Sequence, residues 1–221
     1  MGLFNWLFKR KSSQESQKKN LYSLSKKSLD LILKYEVSSK NYYNKRLRRP
    51  TWPAAASGVT IGIGYDLGYN SVSDVKKDWG KHLSKSDLDR LCRVVGRKGS
   101  AAKAVVDSVK DISIPWEDAV AVFENVTVPK FIGYTLKAFP QSEELHPDAF
   151  GALVSIVFNR GASMRGSTRS EMVNIRDLVP DKDYKGIAKE IRSMKRLWAN
   201  RGLEGLLKRR EAEAKLVESC L

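Results

Sequence analysis

Residues 149–158, Ala-Phe-Gly-Ala-Leu-Val-Ser-Ile-Val-Phe, present apolar or small side chains all the way round a 3.6-residue turn. A helix of that kind offers no face to water, so the rest of the chain has to wrap it, and a helical body is the simplest wrapping. His146-Pro147-Asp148 leads into the run and Asn159-Arg160-Gly161 comes after it, with Gly161 suited to the backbone turn that closes a helix. Upstream, Leu21, Leu24, Ser28, Leu31, Ile32 and Tyr35 share one face and predict a first helix that stops soon after Glu36. From residue 72 the pattern is helical again: 87–95 capped by Ser86, then 101–109, 117–123 after Pro115, 129–138, 169–178, 184–198 and 203–217. No internal repeat is visible.

One segment breaks the helical pattern. Gly58-Val59-Thr60-Ile61-Gly62-Ile63-Gly64-Tyr65-Asp66-Leu67-Gly68-Tyr69 alternates glycine with β-branched and aromatic residues, which suits short strands around a tight bend. It has neither a GxGxxG that opens a helix nor a GK[ST], so phosphate cradling is disfavoured. Residues 42–56 hold Pro50 and Pro53 and are read as a loop. The expected fold is α+β and predominantly helical, in two lobes. A small lobe with a β-hairpin flap covers about 37–80 and a larger helical lobe about 81–221, after a flexible basic tail at 1–20. A cleft between flap and body is the natural ligand site.

The 221 residues carry 40 basic and 25 acidic side chains, a net charge of +15. That excess calls for an anionic partner: nucleic acid, an anionic membrane face or an acidic wall polymer. Against nucleic acid, the positive charge is spread over many helices with no basic motif interleaved with aromatics. The two cysteines, Cys92 and Cys220, lie far apart with no CxxC and no Cys/His companions, so neither a zinc site nor a disulfide is expected, and no cofactor. No stretch is long enough to span a membrane, and Leu3-Phe4-Asn5-Trp6-Leu7-Phe8 is too short for a secretory core. The chain is therefore expected to be made in the cytoplasm without a signal peptide. Its aromatic start, followed by Lys9-Arg10-Lys11, suits peripheral contact with an anionic membrane or docking on the domain.

His82 and His146 have no serine or cysteine motif nearby, and no HExxH or aspartate cluster has metal-ligand spacing. What remains is a pair of carboxylates: Glu36 on the apolar side of the first helix and Asp66 in the glycine-rich hairpin, with the Thr60 hydroxyl six residues before it. Two carboxyl groups in unlike environments are what glycoside hydrolysis needs. Spacing alone leaves the plainer readings open, a half-buried glutamate paired with a cation and an aspartate that accepts backbone hydrogen bonds. Tyr65 either stacks on a sugar or packs the flap. Arg160 either binds substrate or pairs with a cleft carboxylate, or it caps the buried helix. Lys208-Arg209-Arg210 with Glu211 and Glu213 reads as a solvated, salt-bridged helix face.

Thr60-Ile61-Gly62-Ile63-Gly64-Tyr65, after a helix ending in glutamate, resembles the N-terminal lobe of the T4-type phage lysozymes. Ala152-Leu153-Val154-Ser155-Ile156-Val157-Phe158-Asn159-Arg160-Gly161, followed by Ser167-Thr168, resembles the same superfamily's large lobe. The phage enzymes place an aspartate a few residues before the threonine, where this chain has Ala54-Ala55-Ala56-Ser57-Gly58. The pesticin-type branch takes it from just after the strand, and Asp66 stands there. The resemblance implies a lysozyme-like fold and an N-acetylmuramidase that acts on peptidoglycan in the periplasm or on the wall. Glu36 would be the acid, with Asp66 and Thr60 holding the attacking water. It also implies an immunity or inhibitor protein as a partner class, and either a phage or a toxin setting. The alternatives are a lytic transglycosylase and a non-catalytic module that binds peptidoglycan or nucleic acid.

Overall fold

The computed structural model describes residues 24–221, so the expected tail at 1–20 and its membrane contact lie outside the described residues. The order is α1 (Lys26–Val37), α2 (Lys40–Arg46), β1 (Thr60–Ile61), β2 (Tyr65–Asp66), α3 (Val72–Trp79), α4 (Lys85–Cys92) and α5 (Gly99–Val105). After these come α6 (Trp116–Val122), α7 (Val128–Ala138), α8 (Pro147–Arg160), α9 (Ser170–Leu178), α10 (Tyr184–Ser193) and α11 (Glu204–Glu218). The described residues are predominantly helical with one two-stranded antiparallel sheet, the α+β class expected. No helix among the described residues is long and apolar enough to cross a membrane.

The described residues pack as two units, one made of 24–32 with Phe131–Leu221, the other of Leu33–Lys130. The expected lobe boundary near residue 80 falls inside the second unit. Its physical reason is the glycine hairpin, which is locked to the segments from α3 to α5. A Cβ on Gly62 would lie 2.7 Å from the Trp79 ring, and one on Gly68 would lie 2.8 Å from the Arg97 carbonyl. Gly96 N–H donates to the Leu67 carbonyl at 3.0 Å and Gly99 N–H to the Ser57 carbonyl at 2.9 Å.

Two local readings need correction. The loop expected over 42–56 begins with α2, because Pro50 and Pro53 forbid helix only from residue 49 onward. Ser39 caps α2 by accepting from the Tyr42 N–H at 3.1 Å, and buried Tyr43 donates its hydroxyl to the Ile114 carbonyl at 3.0 Å. Ser84, not Ser86, caps α4: its hydroxyl oxygen accepts from Asp87 N–H at 3.1 Å and its O–H donates to the Asp87 carboxylate at 2.9 Å.

In the first unit α8 is the core helix, with every residue from Asp148 to Val157 buried. Phe158 ends that run stacked on Phe131, with ring centroids 3.9 Å apart. Gly161 closes α8 at φ +74°, as its residue type predicts. Gly151 sits in the middle of α8, where glycine costs helix stability. The cause is Ser28 of α1, fully buried, whose Oγ would lie 1.9 Å from a Cβ added at 151. Gly151→Ala should therefore destabilise despite the better helix former. We expect a net loss of about 1–3 kcal/mol, seen as a lower Tm in thermal melts.

The charge run of α11 is also corrected. Arg209, Arg210 and Glu213 are buried, and Glu213 Oε1 accepts from Ser155 Oγ at 2.5 Å, Arg209 Nε at 3.2 Å and an Arg210 terminal nitrogen at 2.8 Å. Ser155, the hydroxyl inside the apolar run of α8, provides the anchor. Lys208, which is exposed, and Glu211, which is partly exposed and bridges Lys195 and Arg192, fit the solvated reading. Hydrogen bonds from those two cations hold its carboxyl down to about 2.

Candidate functional site

Glu36, Thr60, Tyr65 and Asp66 lie in the unit Leu33–Lys130, whereas Arg160 lies in the other. Glu36 is the last residue but one of α1, one turn beyond buried Ile32, and is itself half-buried. Ser38 then leaves the helix at φ +59°, which fixes where the glutamate sits at the helix end.

The hairpin places its two candidates directly opposite each other. β1 pairs antiparallel with β2 in the register Thr60↔Asp66 and Ile61↔Tyr65. A further bridge joins Thr51 to Thr60 through two backbone bonds of 3.0 and 2.8 Å. Opposed residues point to the same face of a sheet, with Cβ atoms about 4.5–5.5 Å apart. Thr51, Thr60 and Asp66 thus form a row of two hydroxyls and a carboxylate across one face. Thr51 was invisible in a segment read as loop; its β-branched type was the sole hint.

The Asp66 carboxylate also holds the flap together. Gly58 N–H donates to both of its oxygens, at 3.0 and 3.1 Å, and Gly68 N–H donates to Oδ1 at 2.8 Å. Asp66 thereby caps the 3-10 turn Leu67–Tyr69. Residue 58 must be glycine, because a Cβ there would come within 2.3 Å of the Gly68 nitrogen and 2.4 Å of Asp66 Oδ1. A carboxylate has about four lone-pair positions, so two N–H donors leave acceptor capacity, chiefly on Oδ2, for a water. The backbone-accepting reading of Asp66 and the chemical one are compatible.

Of the two readings left open for Tyr65, its surroundings fit packing of the flap. It is 5% exposed, meets Trp79 edge-on at 5.6 Å and donates its hydroxyl to Asp78 at 2.8 Å. Burial and the Asp78 partner push its phenol well above the usual range. Its ring is turned into the packing, so the flap-packing alternative is the observed one.

Arg160 ends α8 beside a cavity of about 410 Å³ that Arg169, Arg201 and Trp198 also line. Its guanidinium lies 5.0 Å from the Trp198 ring centre and donates to the Thr168 carbonyl, while its buried Nε has no hydrogen-bond partner among the described residues. Desolvation, then the charges of Arg169 and Arg210, pull it down to about 10. Nearby, burial works to raise the Glu171 carboxyl, but hydrogen bonds and charge from Arg196 more than offset it, leaving the group below its ordinary value.

Two arrangements were not legible in the sequence. Lys45, Arg46, Arg48, Arg49 and Lys110 line a cavity of about 620 Å³ that reaches Thr51. The net positive charge is thus concentrated beside the hydroxyl row as well as spread over helices. The other is a cluster of His146, Asp148 and Cys220, whose ligand atoms all lie within 4.8 Å of one another. Cys220 has no histidine companion along the sequence but has one in the fold, His146 Nδ1 at 3.3 Å from its sulfur.

Comparison with known families divides the chain where packing does. Residues 32–130 match a domain of unknown function (DUF8812), and residues 130–213 match the phage lysozymes. No curated protein matches the chain.

Proposed function

We propose that this chain, whose residues 130–213 match the phage lysozymes, hydrolyses the β-1,4 bond between N-acetylmuramic acid and N-acetylglucosamine. The family match carries the coarser statement by itself: a muramidase-class peptidoglycan hydrolase, with peptidoglycan as substrate. The bond, the residue roles and the site of action are our reading. Glu36 donates a proton to the glycosidic oxygen. Asp66 takes a proton from a water that Thr60 orients, in the pesticin-type order, and action is on the wall after release or delivery.

The observation that carries this reading is the register pairing of Thr60 with Asp66. It sets a hydroxyl and a carboxylate side by side on a flap where Gly58, Gly62 and Gly68 leave no room for a Cβ, in the unit that also holds Glu36. A water held between two such groups has a donor and an acceptor fixed by backbone pairing rather than by mobile side chains. The basic cavity that reaches Thr51 adds attraction for an anionic wall, a contribution that salt should weaken.

Digestion of purified sacculi with product analysis is the direct test. New reducing N-acetylmuramic acid ends are expected. Released 1,6-anhydro ends would identify a transglycosylase instead, and intact sacculi with bound protein would identify a binding module. Product stereochemistry reports the carboxyl spacing, about 6.5–9.5 Å for inversion and about 5–5.5 Å for retention; inversion is expected. Asp66→Asn should slow clearing by about 10²–10⁴. It should also lower the Tm, because an amide nitrogen on either side meets a backbone N–H donor, at a cost of about 1–3 kcal/mol. An Asp66→Asn protein with full activity would remove Asp66 from the chemistry.

A further inference from the structure

The N-terminus of α8 and the chain just past the C-terminus of α11 bring three unlike ligand types together. His146 precedes α8, Asp148 lies in its first turn, and Cys220 comes after Ser219 at the close of α11. The Cys220 Sγ lies 3.3 Å from His146 Nδ1, and the Asp148 carboxylate completes a triangle within 4.8 Å. We infer that His146, Asp148 and Cys220 form a zinc-type metal site that ties the end of α11 to the start of α8.

The dimensions are those of such a site. Zinc bonds imidazole nitrogen at about 2.0–2.1 Å and thiolate at about 2.3 Å, so tetrahedral angles set a nitrogen-to-sulfur edge of about 3.6 Å. The observed 3.3 Å is close to that edge before any ion has drawn the ligands in. A mixed sulfur, nitrogen and oxygen set selects a borderline ion such as Zn²⁺ over Mg²⁺ or Ca²⁺, which take oxygen alone. Asp148 is a built member rather than a surface acid, with 4% of it exposed. Ser25 hydrogen-bonds its carboxylate, and Lys27 reaches its Oδ2 at 3.4 Å from a side chain that is 72% exposed, a loose partner that an ion can displace. His146 Nδ1 now accepts a long 3.2 Å bond from the Asp148 N–H, and the ion takes over that lone pair. On binding, the Cys220 S–H bond breaks, its proton goes to solvent and the sulfur pair forms the metal bond. Three protein ligands leave the fourth position to water.

The test uses the full chain with Zn²⁺ and with Co²⁺ as its coloured stand-in. One equivalent of Co²⁺ should give tetrahedral ligand-field bands and a thiolate charge-transfer band, and Zn²⁺ should bleach both. Cys220→Ala should lose the charge-transfer band and weaken Zn²⁺ binding by a hundredfold or more. His146→Asn keeps a capping residue and should weaken it similarly. Zn²⁺ should raise the Tm of the parent chain and leave that of both variants unmoved. Cys92→Ala, the remaining cysteine, should behave as the parent. Octahedral bands without thiolate character, or a Zn²⁺ affinity that survives Cys220→Ala, would overturn the site; Asp148→Asn serves as the third arm if Cys220→Ala fails to fold.

Discussion

Glu36→Gln should reduce the clearing of purified sacculi by at least about three powers of ten while leaving the Tm within about a degree of the parent. The exchange keeps shape and volume and removes the proton that the acid would give up. General acid help is commonly worth 10²–10⁴, and loss of the proton donor to a poor leaving oxygen belongs at the upper end. Little stability should be lost, because Glu36 is half-buried at the end of α1, where Ser38 already ends the helix. This separates it from Asp66, whose replacement disturbs two backbone N–H partners as well as the chemistry. Paired initial rates and melts on Glu36→Gln, Asp66→Asn and the parent give a two-way pattern: activity alone for the first, activity and stability for the second. A Glu36→Gln enzyme that keeps a tenth of the parent rate would end its role as the acid.

What the sequence conveyed was what repeats locally. The all-round apolar run at 149–158 announced a buried helix, and α8 is buried from Asp148 to Val157. Glycines at 62 and 64 announced a bend, and both take positive φ, +56° and +70°. What it hid were relations between distant segments. Thr51 joins the hydroxyl row only because its backbone pairs with Thr60, a contact that no local pattern around Pro50 encodes. His146 and Cys220 are 74 residues apart and meet because two helix ends meet. Tyr65 looked like a candidate platform because its neighbours are candidates, yet strand alternation puts its ring on the face opposite Asp66, against Trp79. The unit boundary was missed because the sequence shows hairpin and helices as separate patterns, while glycine contacts fuse them.

Glu213→Gln should cost about 3–5 kcal/mol, a loss of roughly 6–20 °C in Tm, although the exchange barely alters volume. The reason lies in burial. Arg209 is 3% exposed, Arg210 and Glu213 are 0% exposed, and one carboxylate serves both cations. Arg210 Nε also lies 2.7 Å from Glu213 Oε2, too far off line for a hydrogen bond but close as an ion pair. Removing the negative charge takes from two buried guanidinium groups the carboxylate they share, and breaking a buried ion pair is far more costly than losing a surface one. The exposed pair Lys40–Glu117 sets the scale, since Glu117→Gln should cost under about 1 kcal/mol. Replacing all three residues together, as Arg209→Met, Arg210→Met and Glu213→Leu, should recover much of what Glu213→Gln loses, because desolvation is then no longer imposed on any of the three charges. Denaturant melts on the three proteins decide it. If Glu213→Gln costs no more than Glu117→Gln, water reaches the network and α11 does not seal α8.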